Sequence, residues 1–195
     1  MERSASHKIY IAFVRVACLL LLGCTAACAP GRDLPFLNAE RLKDYRLGVS
    51  DQVRVVTYGE EQLSDSYRVA DNGSIAFPLL DRIHAQGLTV HELADRIAAA
   101  LRKEQILRQP SVSVEVTAYR SVFVLGEVTK PGEYPYQPGM TFLTLVAEAG
   151  GFTDRAIQDY AYAVRTNNQH EEKGRVLPEN FLQPGDVIKV YERVF

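Results

Sequence analysis

The sequence contains no tryptophan, and no cysteine follows Cys28. Without tryptophan a high-affinity lectin groove is not expected, because such grooves depend on large aromatic faces. Zinc requires about four nitrogen or sulfur ligands, and no Cys or His pair completes such a set, so no metal site is predicted. Lys and Arg total 22 against 24 for Asp and Glu, a net charge of −2. The basic stripe of a nucleic-acid-binding protein is missing, and no nucleic-acid partner is predicted.

Recognisable catalytic motifs are also missing. The G-x-S-x-G, H-E-x-x-H and P-loop patterns do not occur. His84 and His91 are separated by a predicted helix start, and His170 lies in a polar segment, so the histidines indicate no acid–base pair. An enzyme acting on a polysaccharide would need paired carboxylates across a cleft, and no motif indicates such a pair. The sequence therefore predicts no catalytic residue and no cofactor.

The N-terminus is typical of a secretory signal peptide. Arg3, Lys8 and Arg15 supply positive charge, and the apolar run 16–22 is seven residues long. A membrane-spanning helix needs about 20 apolar residues, so this run is too short to cross a bilayer. We assign residues 1–23 to a signal peptide that is removed.

Cys24 and Cys28 are explained best by lipid attachment. A disulfide between them would close a very small loop, and zinc finds no further ligands. The segment LLGC, which ends at Cys24, resembles the bacterial lipoprotein box, with leucine at −3 and a small residue at −1. The segment TAAC before Cys28 is a weaker candidate, because Thr25 replaces the aliphatic residue. Lipidation is predicted at Cys24, followed by a tether over residues 24–44 that mixes Pro, Gly and charge.

Residues 45–118 have the pattern of a small α+β domain. Asn72-Gly73 predicts a tight turn that joins two adjacent strands in a hairpin. Thr89 and Glu92 form the capping-box pair of a predicted helix. An alternating strand at residues 112–116 follows the helix.

Residues 119–195 resemble a β-grasp module, with two strands, a helix and further strands. Thr141 is predicted to begin the helix, and Gly150-Gly151 to end it. Alternating strands are predicted at residues 160–166 and 186–194. The polar segment 167–174 is predicted to be a solvated turn. The fold class of the whole chain is α+β.

Two short segments have similar sequences, a similarity that we call the echo. Residues 47–55 (LGVSDQVRV) and 182–190 (LQPGDVIKV) share a leucine, an aspartate and the final valine. In each, a turn presents the aspartate and an alternating strand follows. Nine residues are too few to indicate a repeat architecture, and two independent uses of one turn also explain the echo.

Seven motifs in order resemble the bacterial outer-membrane polysaccharide export family, the Wza-like exporters. In the first domain they are Y-x-L-G-x-x-D-x-x-x-V, V-x-x-x-G-x-I-x-x-P-L-L, G-L-T-x-x-E-L and P-x-V-x-V, at residues 45–55, 69–80, 87–93 and 110–114. In the second they are V-x-G-E-V-x-x-P-G-x-Y, L-x-x-x-A-G-G-F-T and L-x-P-G-D-x-I-x-V, at residues 124–134, 145–153 and 182–190, and they are similar to the family's soluble-ligand-binding β-grasp (SLBB) module. The sequence departs from the family at two turns: Val49-Ser50 replaces the usual Pro-Gly, and Asp81 replaces a common glycine.

The resemblance implies a lipid-anchored component of a capsular or exopolysaccharide export channel, at the outer membrane with its domains in the periplasm. The implied partners are the polysaccharide, further copies of the chain in a homo-oligomeric ring, an inner-membrane polysaccharide co-polymerase and an outer-membrane β-barrel pore protein. Because the sequence stops at Phe195, without the pore-lining helix of large family members, the pore is expected to come from that separate protein.

The alternative function is that of a periplasmic β-grasp lipoprotein that binds a small soluble ligand. No ligand-binding residue is assigned. Five tyrosines of the second domain are candidates for stacking on sugars, although packing on a β face is the favoured explanation for the pair Tyr160 and Tyr162. The other three are Tyr119, Tyr134 and Tyr136.

Overall fold

The structure is a computed structural model that describes residues 30–37, 44–167 and 170–193. Over these residues the chain forms ten β-strands and two α-helices, which confirms the predicted α+β class. No helix in these ranges is long and apolar enough to span a bilayer. The predicted signal peptide 1–23 and the lipidation at Cys24 lie outside the described residues.

The first hydrophobic core lies between a three-stranded antiparallel sheet and one helix. In spatial order the strands are β2 (Asp65–Arg68), β1 (Gln52–Thr57) and β5 (Val112–Ala118). Val53 and Val55 of the central strand are fully buried, whereas Arg54 between them is exposed. This alternation is the one that the sequence predicts for a half-buried strand.

Helix α1 (Val90–Lys103) begins at the predicted capping box. The backbone N–H of Glu92 donates to the Thr89 hydroxyl, and the backbone N–H of Thr89 donates to the Glu92 carboxylate. Two N–H groups that have no partner inside the helix are satisfied in this way. The helix buries one apolar stripe in the first core, consisting of Leu93, Ile97 and Leu101.

The turn at Asn72-Gly73 forms, but the hairpin predicted around it is wrong. Gly73 has a φ of +74°, and its N–H bonds to the carbonyl of Ala70. Strand β2 nevertheless pairs with β1, while β3 (Ser74–Ile75) pairs with β4 (Ile83–His84) in a separate two-stranded sheet. The reason is that Val69, which follows β2, hydrogen-bonds to the backbone of Ser50 and Asp51 and so keeps this strand beside β1.

The second core lies between a five-stranded mixed sheet and helix α2 (Phe142–Glu148). In spatial order the strands are β7 (Gly132–Tyr134), β6 (Val122–Gly126), β10 (Val187–Val190), β8 (Ala161–Asn167) and β9 (His170–Val176). The adjacent strands β6 and β10 are parallel, and the other pairs are antiparallel. The first and last strands of the unit therefore pair at the centre of the sheet, which is the β-grasp order.

Strand β9 replaces most of the solvated turn predicted at residues 167–174. It pairs with β8 from Val176 opposite Ala161 to His170 opposite Asn167. Its first four side chains, at 170–173, are exposed, and the first buried residue is Gly174. A strand that is polar on both faces has no hydrophobic period, so the pattern is indistinguishable from that of a turn.

Part of the predicted tether is also a structural element. Residues 34–37, which we call the strap, lie along the outer edge of β9, where Phe36 forms a parallel bridge with Arg175. The Arg175 N–H donates to the Pro35 carbonyl at 2.7 Å, and the Leu37 N–H donates to the Arg175 carbonyl at 3.0 Å. Leu37 is only 8% exposed and belongs to the second core. These residues are docked, and the prediction of a tether does not hold for them.

Candidate functional site

Two fully buried aspartates occupy equivalent turns, one in each core. The Asp51 carboxylate accepts a hydrogen bond from the Gly48 N–H at 2.7 Å, and Asp186 accepts one from the Gln183 N–H at 2.8 Å. Each aspartate N–H donates back to the carbonyl of the same partner. The echo between residues 47–55 and 182–190 is therefore one turn geometry used twice, before β1 and before β10.

Arg120 joins these two turns. It lies between β5 and β6, where the chain passes from the first sheet to the second. Its backbone N–H donates to Asp51 Oδ1 at 2.8 Å, and its Nε donates to the Pro184 carbonyl at 2.9 Å. Its Nη1 donates to the Tyr45 hydroxyl at 3.2 Å. A single residue thus hydrogen-bonds to both aspartate turns.

Asp186 is also paired with Arg165 of β8. The Arg165 Nε and Nη2 donate to the two carboxylate oxygens at 2.9 and 2.7 Å. Both side chains are almost completely inaccessible to solvent. Bidentate pairs of this kind are geometrically specific, and the loss of one partner leaves a buried charge uncompensated. The pair therefore fixes β8 against the turn that precedes β10.

Three tyrosine rings extend across the same junction. The Tyr119 ring lies edge-to-face with Tyr45 at 4.9 Å and with Tyr136 at 5.5 Å between centroids. The Tyr45 hydroxyl donates to Asp51 at 2.5 Å. Burial raises the pKa of the Tyr45 phenol, the bond to Asp51 raises it further, and Arg120 acts in the opposite direction. The phenol therefore remains protonated at neutral pH and continues to donate.

We call Tyr45, Asp51, Tyr119, Arg120 and Asp186 the junction cluster. The side chains of Tyr45, Asp51, Arg120 and Asp186 hydrogen-bond within the protein, and Tyr119 contributes ring contacts. The two aspartates are fully buried, and the other three residues are half-buried. A cluster of this kind can hold two domains in one orientation.

The three described histidines lie on three different elements. His84 and His91 are exposed on β4 and α1, and His170 is exposed at the start of β9. Among the described ranges, no three His, Cys, Asp or Glu side chains are arranged to hold a metal ion. Of the candidate tyrosines, Tyr160 is packed at 7% exposure, and the Tyr134 hydroxyl donates to the Lys130 carbonyl.

A depression of about 290 Å³ lies beside the C-terminal half of α1. It is lined by apolar and charged side chains together: Leu79, Leu80, Asp81, Arg82, Ile83, Ala100, Lys103 and Glu104. It belongs to the first domain, whereas the small-ligand alternative assigns binding to the β-grasp domain.

Sequence reasoning missed three site residues, which are Tyr45, Arg120 and Arg165. The available signal was the echo of residues 47–55 and 182–190, which indicates two aspartate turns. Nothing in the sequence indicates which arginine meets either turn, because Arg120 and Asp51 are 69 positions apart. Cys24, the predicted lipidation site, lies outside the described residues.

The two cores, the β-grasp strand order and the junction cluster define a two-domain α+β protein whose second domain is a β-grasp. Residues 39–117 match the family described as "Polysaccharide biosynthesis/export protein", and residues 121–171 match the SLBB domain. The chain belongs to the polysaccharide export family, as its motifs predict.

Similar proteins carry names that refer to exopolysaccharide. The chain is 34% identical over 160 residues to the exopolysaccharide production protein ExoF of Rhizobium meliloti (strain 1021), covering 76% of this chain and 36% of that protein. It is 33% identical over 150 residues to the EPS I polysaccharide export outer membrane protein EpsA of Ralstonia nicotianae, covering 71% and 39%. A protein of the same name from Ralstonia solanacearum is 36% identical over 88 residues, covering 44% and 23%. The chain thus spans less than half the length of these curated relatives.

Proposed function

We propose that this protein is a lipid-anchored component of a capsular or exopolysaccharide export channel. The observation that carries the proposal is the presence of both matched domains in one chain, with 39–117 followed by 121–171. The names of the ExoF and EpsA relatives support polysaccharide as the material handled. We place the domain boundaries at 45–118 and 119–195, so that the domains meet beside Arg120.

In this proposal the junction cluster has a mechanical role. A conduit wall must keep its shape while a polymer passes, and half-buried hydrogen bonds from Arg120 to both aspartate turns oppose bending between the domains. Copies of the chain assemble into a homo-oligomeric ring that encloses the path. The protein guides the polymer without making or breaking bonds in it, so we propose that it is not an enzyme.

The proposed location is the outer membrane, with both domains in the periplasm. The EpsA relatives carry "outer membrane" in their names, which supports this location. Acyl chains on Cys24 would anchor the protein, since each buried CH₂ contributes about 0.8 kcal/mol. An inner-membrane polysaccharide co-polymerase delivers the polymer, and a separate outer-membrane pore protein passes it to the surface.

Gene deletion and complementation test the proposal. Deletion should abolish surface polysaccharide, and the wild-type chain and Cys28→Ser should restore it. Cys24→Ser should lose the acyl label, appear in the soluble periplasmic fraction and fail to restore export. Radiolabelled lipid on the Cys24→Ser protein would show that the anchor assignment is wrong.

Imaging and conductance of the purified protein test the ring and the pore partner. Detergent-extracted particles should be rings, and the rings should conduct no ions in a bilayer without a partner. Stable single-channel currents from the protein alone would contradict the need for a separate pore. A monomer with one saturable small-molecule site would instead support the small-ligand alternative.

A further inference from the structure

The five-stranded sheet exposes apolar side chains on the face opposite α2. Val122 and Val124 of β6 are fully buried in the second core together with α2. Phe123 and Leu125, which alternate with them, are 38% and 47% exposed. We call this side of the sheet the outer face. Exposed apolar side chains that are contiguous on one face are a feature of interaction surfaces.

One row of paired residues crosses the outer face. Leu125 is opposite Lys189, Lys189 is opposite Tyr162, and Tyr162 is opposite Arg175. Arg175 is bridged in turn to Phe36 of the strap. With about 4.8 Å between strands, the row is about 19 Å long. Apolar or aromatic groups thus alternate with cations, a composition that suits the headgroup region of a bilayer.

The strap belongs to this face through Phe36. Leu37 enters the second core, so its neighbour Phe36 points to the opposite side and is 58% exposed. The Arg175 guanidinium lies 4.3 Å from the centre of the Phe36 ring and donates to the Leu34 carbonyl at 2.9 Å. These contacts hold an exposed aromatic ring at the edge of the outer face.

The strap also shortens the link to the proposed anchor. Leu34 follows Cys24 by ten residues, which span at most about 35 Å when fully extended. A free tether that reached Tyr45 would be 21 residues long and could span about 75 Å. A short link keeps the bilayer close to the face beside which the link ends. The effective concentration of the bilayer at that face is therefore raised.

We propose that the outer face, with Phe36 at its edge, rests on the bilayer that holds the Cys24 anchor. The proposal depends on the proposed function for the anchor itself. Phe36, Phe123 and Leu125 enter the boundary between headgroups and acyl chains, and Lys189 contacts lipid phosphates.

The outer face carries both acidic and basic groups, so apolar contact contributes more to bilayer binding than electrostatic attraction does. Lys173 is paired with Glu171 at 2.9 Å, and Glu133 lies opposite Phe123. Acidic groups therefore offset part of the cationic charge, which argues against an acidic polymer as the occupant. The short link to Cys24 favours lipid.

Depth-dependent quenching in the acylated protein tests the orientation. Leu125 and Leu143 are a matched pair, because they are 47% and 51% exposed but lie on the outer face and on α2. Leu125→Cys and Leu143→Cys, each with Cys28→Ser, are labelled with the fluorophore NBD in vesicles of phosphatidylethanolamine and phosphatidylglycerol that contain brominated lipid. We expect quenching at 125 to exceed that at 143 at least threefold. Equal quenching, or none at 125, would overturn the proposal.

A second experiment separates this proposal from the anchor assignment. The mature chain with Cys24→Ser and Cys28→Ser carries no lipid and is floated with the same vesicles. Phe123→Ser/Leu125→Ser should reduce its binding at least tenfold, whereas Val56→Ser, at a 39% exposed site in the first domain, should not. Unchanged binding of the double variant, with a native circular dichroism spectrum, would overturn the proposal even if Cys24 is acylated. Protection of the label at 125 by purified exopolysaccharide without quenching by lipid would assign the face to the polymer instead.

Discussion

The backbone N–H of Arg120 donates a 2.8 Å hydrogen bond to Asp51 Oδ1, although 69 positions separate the two residues. The Arg120 side chain extends from there to the Pro184 carbonyl, in the turn that precedes the last strand of the second sheet. Polar contacts around one arginine therefore link the two cores, together with the ring contacts of Tyr119.

Replacing Arg120 should lower the stability of the folded protein. In Arg120→Ala the backbone bond to Asp51 remains, but the Pro184 carbonyl and the Tyr45 hydroxyl lose a donor. We expect a loss of about 1–3 kcal/mol in the free energy of unfolding, measured by urea denaturation. Arg120→Lys should restore little, because one ammonium does not reproduce the planar fork. Arg54→Ala on the exposed side of β1 is the control, and an equal loss there would contradict a special role for Arg120.

Replacing Ser50 by glycine should increase the stability of the protein. Ser50 has a φ of +74°, and Gly185 has a φ of +87° at the equivalent position of the other turn. A left-handed conformation costs an L-residue about 1–2 kcal/mol, and the entropy lost by glycine offsets part of the gain. Ser50→Gly should therefore stabilise the protein by about 0.5–1 kcal/mol, seen as a higher melting temperature. Ser50→Ala, which keeps the Cβ, should not.

The reciprocal change at Gly185 should be destabilising. A Cβ at this position would lie 2.7 Å from Arg120 Nε, in addition to the strain of the positive φ. Gly185→Ser should lower the melting temperature, and more so in the wild type than in the Arg120→Ala background, where the clash is absent. Equal effects in both backgrounds would show that Arg120 does not occupy this position.

Tyr45 should make stability sensitive to alkaline pH. Burial raises the folded-state pKa of its phenol, whereas an unfolded tyrosine titrates near pH 10. The stability that this group contributes is therefore complete below about pH 10 and is lost as the pH rises above that value. Tyr45→Phe should reduce the fall in urea midpoint between pH 8 and pH 11, leaving the smaller part due to the other tyrosines with raised pKa values. Tyr58→Phe, at an 85% exposed site, is the control and should leave the fall unchanged.

Truncation of Ile97 in the first core should strongly reduce the stability of the protein. It is 0% exposed at the centre of the buried stripe of α1. Ile97→Ala should cost about 2–5 kcal/mol through lost burial and the cavity left behind. Asp95→Ala, on the exposed side of the same helix, should change stability by less than about 0.5 kcal/mol. A denaturation midpoint unaffected by Ile97→Ala would contradict the docking of α1 on this core.

Gly174 should be needed for the strap. A Cβ there would lie 2.6 Å from the Pro35 carbonyl oxygen and 2.9 Å from Leu37 Cγ. Gly174→Ala should displace residues 34–37 and make this segment sensitive to limited proteolysis while the two cores remain folded. Gly132→Ala on β7, where a Cβ would contact nothing within 4 Å, is the matched control. Equal protection of residues 34–37 in both variants would contradict the strap.

Local chemistry made several elements predictable from the sequence. The capping box of Thr89 and Glu92 and the alternation of Val53 and Val55 depend on residues within a few positions of one another. The family motifs are likewise short, and the matches at 39–117 and 121–171 confirm the family that they predicted. Such features need no knowledge of what lies across the fold.

Which strand edges pair, and which charged groups contact each other, depends on the tertiary structure. The strap pairs with β9 through contacts such as Arg175 to Leu34, which are 141 positions apart. Strand β2 pairs with β1, although β3 is nearer in sequence. Arg120 likewise reaches turns on both sides of it in sequence. A strand edge or a buried carboxylate accepts whichever donor the rest of the packed chain brings within about 3 Å, and no local pattern encodes that choice.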